Sequence, residues 1–168
     1  MAWRICRLPS ACSRTIVVTL LVAVFMSVTV CSTSAEAEDC LAVADAICAI
    51  NSLGPGLVID IETAKPVLAN KTGGVSGPAV RPIAVRCVRD ICQALKNARL
   101  PTQVIGTGGV TTARDAIEMI LVGATCVGVG SAVYRGLDVF TEITDGLADY
   151  MRRHDYHSVE EFRGKALN

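Results

Sequence analysis

A chain of 168 residues is long enough for one domain with a sizeable core, and its sixteen basic and sixteen acidic side chains cancel, which leaves no electrostatic footprint for nucleic acid. Aromatic residues make up only 4% of the chain, too few for a base-stacking surface. Hydrophobic residues reach 51%, and much of the excess is gathered near the N-terminus.

That excess is the run Thr15 to Cys31, seventeen residues without a charge, preceded by Arg4, Arg7 and Arg14 and followed by Ala35-Glu36-Ala37. A basic start, an apolar run and a small-residue site have the layout of a secretory signal. Seventeen residues also lie at the lower limit for a membrane span. The same run reads alternatively as a buried strand or helix of a barrel, or as sequence behind a misassigned start. Residues 1–37 are therefore set apart as a possible signal, anchor or unrelated leader, and residues 38–168 as the folded domain.

Glu38 to Ala44 reads as the end of a helix and Ala46 to Ile50 as a buried strand. A loop follows, with Asn51, Ser52, Gly54, Pro55 and Gly56. Leu57 to Ile61 and Val67 to Ala69 can form a hairpin across Glu62-Thr63-Ala64-Lys65. Pro82 opens a helix at a position proline tolerates, with Ala84, Cys87, Val88, Ile91 and Leu95 as its apolar stripe. Gln103 to Ile105 is a short strand and Gly106 to Val110 its loop. Thr112-Ala113-Arg114-Asp115 has the form of a capping box, with aspartate where glutamate is usual. Ala116, Ile117, Ile120 and Leu121 then face inward until Gly123 stops the helix. Cys126 to Val129 is the next strand, ending at Gly130-Ser131. A last long helix carries Phe140, Ile143, Leu147 and Met151 on one face, and Ser158 caps a short final helix.

Three glycine-rich loops stand out: Asn70 to Ala79, Ile105 to Val110, and Val127 to Ser131. Glycine lets backbone N–H groups approach a ligand closely, and successive exposed N–H groups are what a phosphate needs. Strands alternating with helices imply a parallel sheet with right-handed crossovers, whose ligand loops gather at the carboxyl ends of the strands. In (β/α)8 barrels the loops after the last two strands commonly hold a phosphate, and such barrels typically need about 250 residues. Only three convincing strands are present. The fold class is therefore α/β, a partial TIM (β/α)8 barrel comprising the C-terminal half, with an apolar N-terminal segment.

The remaining chemistry-bearing residues read as structural. None of the eight cysteines has the spacing of a zinc or redox motif, and Cys48, Cys87, Cys92 and Cys126 are expected to pack in the core, although an exported chain could oxidise pairs. Asp60 and Glu62 share a strand face away from the loops, Lys71 is a solvated loop residue, and His154 and His157 sit in the polar tail with no metal spacing.

From about Ala42 to Lys165 the chain resembles the C-terminal portion of dihydroorotate dehydrogenases, the class 1 enzymes of the type B branch above all. The resemblance rests on Ala49-Ile50-Asn51-Ser52, Val58 to Thr63, Asn70 to Ala79, Ile105 to Val110, Val127 to Ser131 and Ser158 to Gly164. It implies oxidation of dihydroorotate to orotate in pyrimidine (UMP) biosynthesis, with FMN as the cofactor. By this resemblance Asn51 and Ser52 bind the polar groups of the substrate ring, and Ile50 and Gly77 lie along the flavin. Gly108, Gly109, Gly130 and Ser131 hold the FMN phosphate through backbone N–H groups. It further implies a cytoplasmic protein and an iron–sulfur and FAD accessory subunit that relays electrons to NAD. Separately, an incomplete barrel leaves unpaired strand edges that invite association, so homo-oligomerisation, aggregation or a complementing chain is expected.

The chain also departs from the family. The cysteine that serves as base in the type B branch lies on a loop of the other half of the barrel, and none of the eight cysteines here has its surrounding motif. No lysine precedes Lys65, so the flavin-contacting strand lysine has no counterpart, and the asparagines of the earlier loops are absent. No catalytic residue and no metal ligand is assigned. Without a base in reach the substrate cannot be deprotonated, so the chain alone is expected to be inactive. Two other readings stay open: a membrane-targeted remnant or binding module anchored or exported through residues 15–31, and an FMN domain of the dihydropyrimidine dehydrogenase type.

Overall fold

The computed structural model describes residues 45–167, so the expected helix end at 38–44 and the segment 1–37 lie outside the described residues. Three strands, β1 (Ala46–Ala49), β6 (Gln103–Thr107) and β7 (Cys126–Gly128), form a parallel sheet in the order β1-β6-β7. Ile47 stands opposite Val104 and Ala49 opposite Gly106, and Ile105 stands opposite Cys126. Helix α1 (Arg81–Ala98) links β1 to β6 and helix α2 (Ala113–Leu121) links β6 to β7. Helix α3 (Asp138–Arg153) follows β7. Two successive β–α–β units on one parallel sheet are the C-terminal part of a (β/α)8 barrel.

The helices form where the apolar periodicity meets good end signals. Thr112 accepts from the Asp115 backbone N–H while the Asp115 side chain accepts from Thr112 N–H, the reciprocal cap expected from the sequence. At the far end of α1, Arg99 takes a left-handed conformation (φ 56°) and its N–H reaches the carbonyls of Leu95 and Lys96, closing the helix. The inward face of α1 is Ala84, Val88, Cys92 and Leu95, packed on Ile47, Ala49 and Val104 of the sheet. A second cluster joins Ile117 and Ile120 of α2 to Phe162, against Leu147, Tyr150 and Met151 of α3.

Several local expectations are corrected. The stripe of α1 runs through Cys92 rather than Cys87 and Ile91, which lie half-buried at its border. Met119 is fully buried in α2 while Leu121 is half-exposed, and in α3 Val139 points inward while Phe140 is exposed. Cys126 is exposed rather than packed. Ser158 makes no side-chain cap; instead Glu161 Oε1 accepts from His157 N–H (3.2 Å) and Ser158 Oγ (3.4 Å).

The largest difference lies between β1 and α1. Strand β2 (Leu53–Leu57) pairs antiparallel with β5 (Thr72–Val75), where the sequence suggests two loops. Glycine and proline depress strand propensity, so only the distant partner reveals the pairing. The register shifts between Leu53 and Gly56, a bulge of the kind glycine accommodates. Beyond it, β3 (Ile59–Asp60) and β4 (Lys65–Pro66) make a hairpin shorter than expected, with its return strand at Lys65–Pro66 rather than at Val67 to Ala69, which lie in bends and turns. Asp60 Oδ1 closes its tip by accepting from the N–H groups of Glu62 (2.9 Å) and Thr63 (3.4 Å). Among the described residues no helix is long and apolar enough to cross a membrane.

Candidate functional site

Because β1, β6 and β7 run parallel, the segments that leave their carboxyl ends emerge on one rim: Ile50 to Ser52, Gly108 to Thr111, and Val129 to Ser131. Ile50 N–H donates to the Thr107 carbonyl (2.7 Å), which ties the first of these to the second. Cys48 Sγ lies 3.6 Å from Thr107 Oγ1 across the same pair of strands.

The glycines show how closely these loops meet. A Cβ built on Gly108 would stand 2.7 Å from Ala84 Cβ and 3.2 Å from Ile50 Cγ1. Gly109 has a left-handed backbone (φ 73°), and a Cβ there would stand 2.7 Å from the Gly77 carbonyl oxygen and 2.9 Å from Arg81 N. Gly77 is buried, also at positive φ (85°), and its Cβ position is 3.7 Å from Ser131 Oγ. A chain of contacts therefore runs Ile50, Gly108, Gly109, Gly77, Ser131. Gly130 differs: a Cβ there would meet nothing within 4 Å. It faces an open cavity of about 450 Å³ lined by Ser76, Gly130, Ser131, Val133 and Tyr134.

Six of the residues singled out from the sequence thus share one rim: Ile50, Gly77, Gly108, Gly109, Gly130 and Ser131. Asn51 and Ser52 lie next to them but turn to a different neighbour. Asn51 is exposed, and its Oδ1 accepts from Ser52 N–H (2.7 Å) and Ser52 Oγ (3.4 Å). Ser52 packs where a Cβ on Gly74 would overlap its Oγ, so the β2–β5 ribbon is anchored beside the rim. The cavity wall includes Gly130 and Ser131 and none of the other six.

Sequence reasoning did not single out three of the lining residues. Ser76 was within reach, since it sits inside the glycine-rich run before Gly77. Val133 and Tyr134 carry no sequence signal; they belong to the 3-10 turn Ser131–Arg135 that leaves the rim, and Tyr134 is 96% exposed.

One charged cluster lies under the rim. Asp115 is only 1% exposed, and its Oδ2 accepts from Thr111 N–H (2.9 Å), Thr111 Oγ1 (2.8 Å) and Thr112 N–H (2.9 Å). Its Oδ1 pairs with Arg81 Nη1, and Arg81 Nε lies 3.4 Å from Glu118 Oε2. Burial pulls the Asp115 carboxyl upward, but the bonds from Thr111 and Thr112 outweigh it and hold the group below the usual carboxylate range. Arg135 Nη1 donates to the Thr111 carbonyl (3.5 Å) from the turn that follows Ser131.

Elsewhere the titratable groups serve the fold. Hydrogen bonds from Glu62 and Thr63 lower the exposed Asp60 carboxyl, as a turn-closing aspartate requires. Lys71 is exposed, and His154 stacks against Tyr156 with centroids 5.8 Å apart. Burial pushes the Cys92 thiol up to about 11, the Arg163 charge opposing it in part, and burial with the Asp90 charge raises Cys87. Among the described residues no three His, Cys, Asp or Glu side chains are grouped to hold a metal.

The sequence profile of the family described as dihydroorotate dehydrogenase matches residues 10–151. The catalytic subunit of dihydroorotate dehydrogenase B (NAD(+)) from Methanosarcina mazei is 47% identical over 123 residues, which cover 73% of this chain and 37% of that protein. The same subunit from Thermococcus kodakarensis is 48% identical over 125 residues, 74% of this chain and 39% of that protein. The counterpart from Methanothermobacter thermautotrophicus is 46% identical over 123 residues, 73% of this chain and 39% of that protein. The chain therefore spans between 37% and 39% of the length of these curated relatives.

Proposed function

The chain belongs to the dihydroorotate dehydrogenase family, as a fragment of the class 1, type B catalytic barrel, and from that premise we propose that it is the part of the barrel that holds the flavin. One observation carries the reading: loops from four separate places in the sequence touch one another at the carboxyl rim, and Gly130 opens onto a cavity beside them. The residues fit the group. Two glycine loops offer backbone N–H groups to a phosphate dianion, while the buried Ile50 offers apolar contact beside them for the ring system.

In this reading Gly108, Gly109, Gly130 and Ser131 hold the FMN phosphate, and Ile50 and Gly77 flank the flavin. Asn51 and Ser52 form part of the wall facing dihydroorotate or orotate, since an amide can donate and accept along a ring with alternating N–H and C=O groups. Bound FMN supplies the hydride acceptor for oxidation of the substrate in pyrimidine biosynthesis. The chain's own contribution is to bind and orient. No residue at the rim is assigned the role of base, and Cys48 Sγ lies 3.6 Å from Thr107 Oγ1 across the sheet. The 168-residue chain is therefore proposed to bind FMN without turning over. An orotate-formation assay on the purified chain with added FMN tests this, and saturable turnover would refute it.

The same reading extends to partners. Strands β1 and β7 each have one neighbour among the described residues, and the β2–β5 and β3–β4 ribbons expose Leu57, Val58, Ile61 and Val67. Open sheet edges and apolar ribbons invite association. A second copy or a complementing chain is proposed to cover them, with an iron–sulfur and FAD subunit as electron acceptor for the complete enzyme. A single compact monomer in size-exclusion chromatography would count against this.

A further inference from the structure

We propose that the Arg81–Asp115 pair is a positioning device that sets the spacing of the phosphate-holding loops, an inference that rests on the FMN reading above. A capping box needs the Asp115 carboxylate for one backbone N–H only. Here the carboxylate does more, and each oxygen holds a different element. Oδ2 takes Thr111 N–H, Thr111 Oγ1 and Thr112 N–H, which closes the loop after Gly109 onto α2. Oδ1 crosses to Arg81, the first residue of α1, thirty-four positions earlier in the chain.

Arg81 is also the residue that walls Gly109. Its backbone N and Cβ lie 2.9 and 2.8 Å from the Cβ position of Gly109, beside the Gly77 carbonyl at 2.7 Å. The ion pair therefore fixes how far the Gly108–Gly109 loop stands from Gly77. Arg135 brings the third loop to the same hub through the Thr111 carbonyl (3.5 Å).

The pair also decides which donors a phosphate can use. The N–H groups of Thr111 and Thr112 are spent on Asp115, and Asp115 N–H is directed at Thr112 Oγ1 (3.4 Å). Those three amides are thus taken, and in this reading the anion's grip comes from the loop glycines. Loop amides bind tightly only when they are held in place beforehand, and the clamp between Arg81 and Asp115 does that.

The test compares FMN with riboflavin, which lacks the phosphate, by flavin fluorescence titration of the full chain and of Arg81→Gln, Arg81→Lys and Asp115→Asn. Thermal unfolding is followed in parallel. The expected result for Arg81→Gln and Asp115→Asn is a fall on the order of tenfold in FMN affinity with riboflavin affinity nearly unchanged. Arg81→Lys, which keeps the charge opposite Asp115, recovers part of the loss and serves if the other variants do not fold. An unchanged FMN-to-riboflavin ratio in all folded variants, with only the melting temperature lowered, would overturn the inference and leave the FMN reading standing. A wild-type chain that prefers riboflavin or binds neither would overturn both.

Discussion

Replacing Gly109 by alanine adds one methyl group at the point where the loops touch. The backbone there is left-handed at φ 73°, which costs a residue with a Cβ about 1–2 kcal/mol. The new Cβ would also stand 2.7 Å from the Gly77 carbonyl oxygen and 2.9 Å from Arg81 N, both backbone atoms that cannot rotate away. Overpacking of this kind costs about 1–3 kcal/mol. The sum, roughly 2–5 kcal/mol, lowers the melting temperature of a domain this size by roughly 4–20 °C. Gly130→Ala is the control, because its Cβ meets nothing within 4 Å and its φ is −105°. That variant is expected to lose less than about 1 kcal/mol, the usual range for a surface change. Its methyl group projects into the cavity, so FMN binding weakens while the fold holds. Circular dichroism melts of the two variants, with flavin titrations, decide the matter. Equal melting temperatures for the pair would show that the loops do not meet as described.

Two further outcomes follow from the charges and thiols. Asp115 titrates below its usual range in the folded chain, so its contribution to stability is present above the unfolded carboxylate value of about 3.9 and is lost as pH falls through the folded value. Melting temperature should therefore drop steeply on acidification below about pH 4 in the wild type and less steeply in Asp115→Asn; parallel curves for the two proteins would contradict this. Alkylation by iodoacetamide at pH 8, followed by peptide mapping, should modify, among the four described cysteines, the exposed Cys126 first and the buried Cys92, with its thiol at about 11, last. Early modification of Cys92 in folded protein would show that α1 does not pack on the sheet as described.

The parts of the fold that were legible in the sequence are those specified locally. Strands β1, β6 and β7 are short apolar runs, α1 and α2 carry apolar stripes, and the Thr112–Asp115 box marks a helix start within four residues. The glycine loops were legible too, because few other residues survive a positive φ beside another backbone. What stayed hidden depends on distant partners. Nothing local in Leu-Gly-Pro-Gly-Leu announces a strand; Leu53–Leu57 becomes one because Thr72–Val75 folds back on it. Helical faces were read one position off where two apolar residues adjoin, as with Val139 and Phe140, since only the neighbouring element selects between them. The second role of Asp115 was invisible because Arg81 lies on another helix.

The central claim is that the loops at Gly108–Gly109 and Gly130–Ser131 act as one phosphate cradle. It is tested most directly by following backbone amide resonances of the ¹⁵N-labelled chain while FMN, and separately inorganic phosphate, is added. The amides of Gly108, Gly109, Gly130 and Ser131 should shift together with one dissociation constant for each ligand, while those around Asp60 in the β3–β4 hairpin stay still. Shifts confined to one of the two loops, or none at the rim on saturation with FMN, would contradict the account.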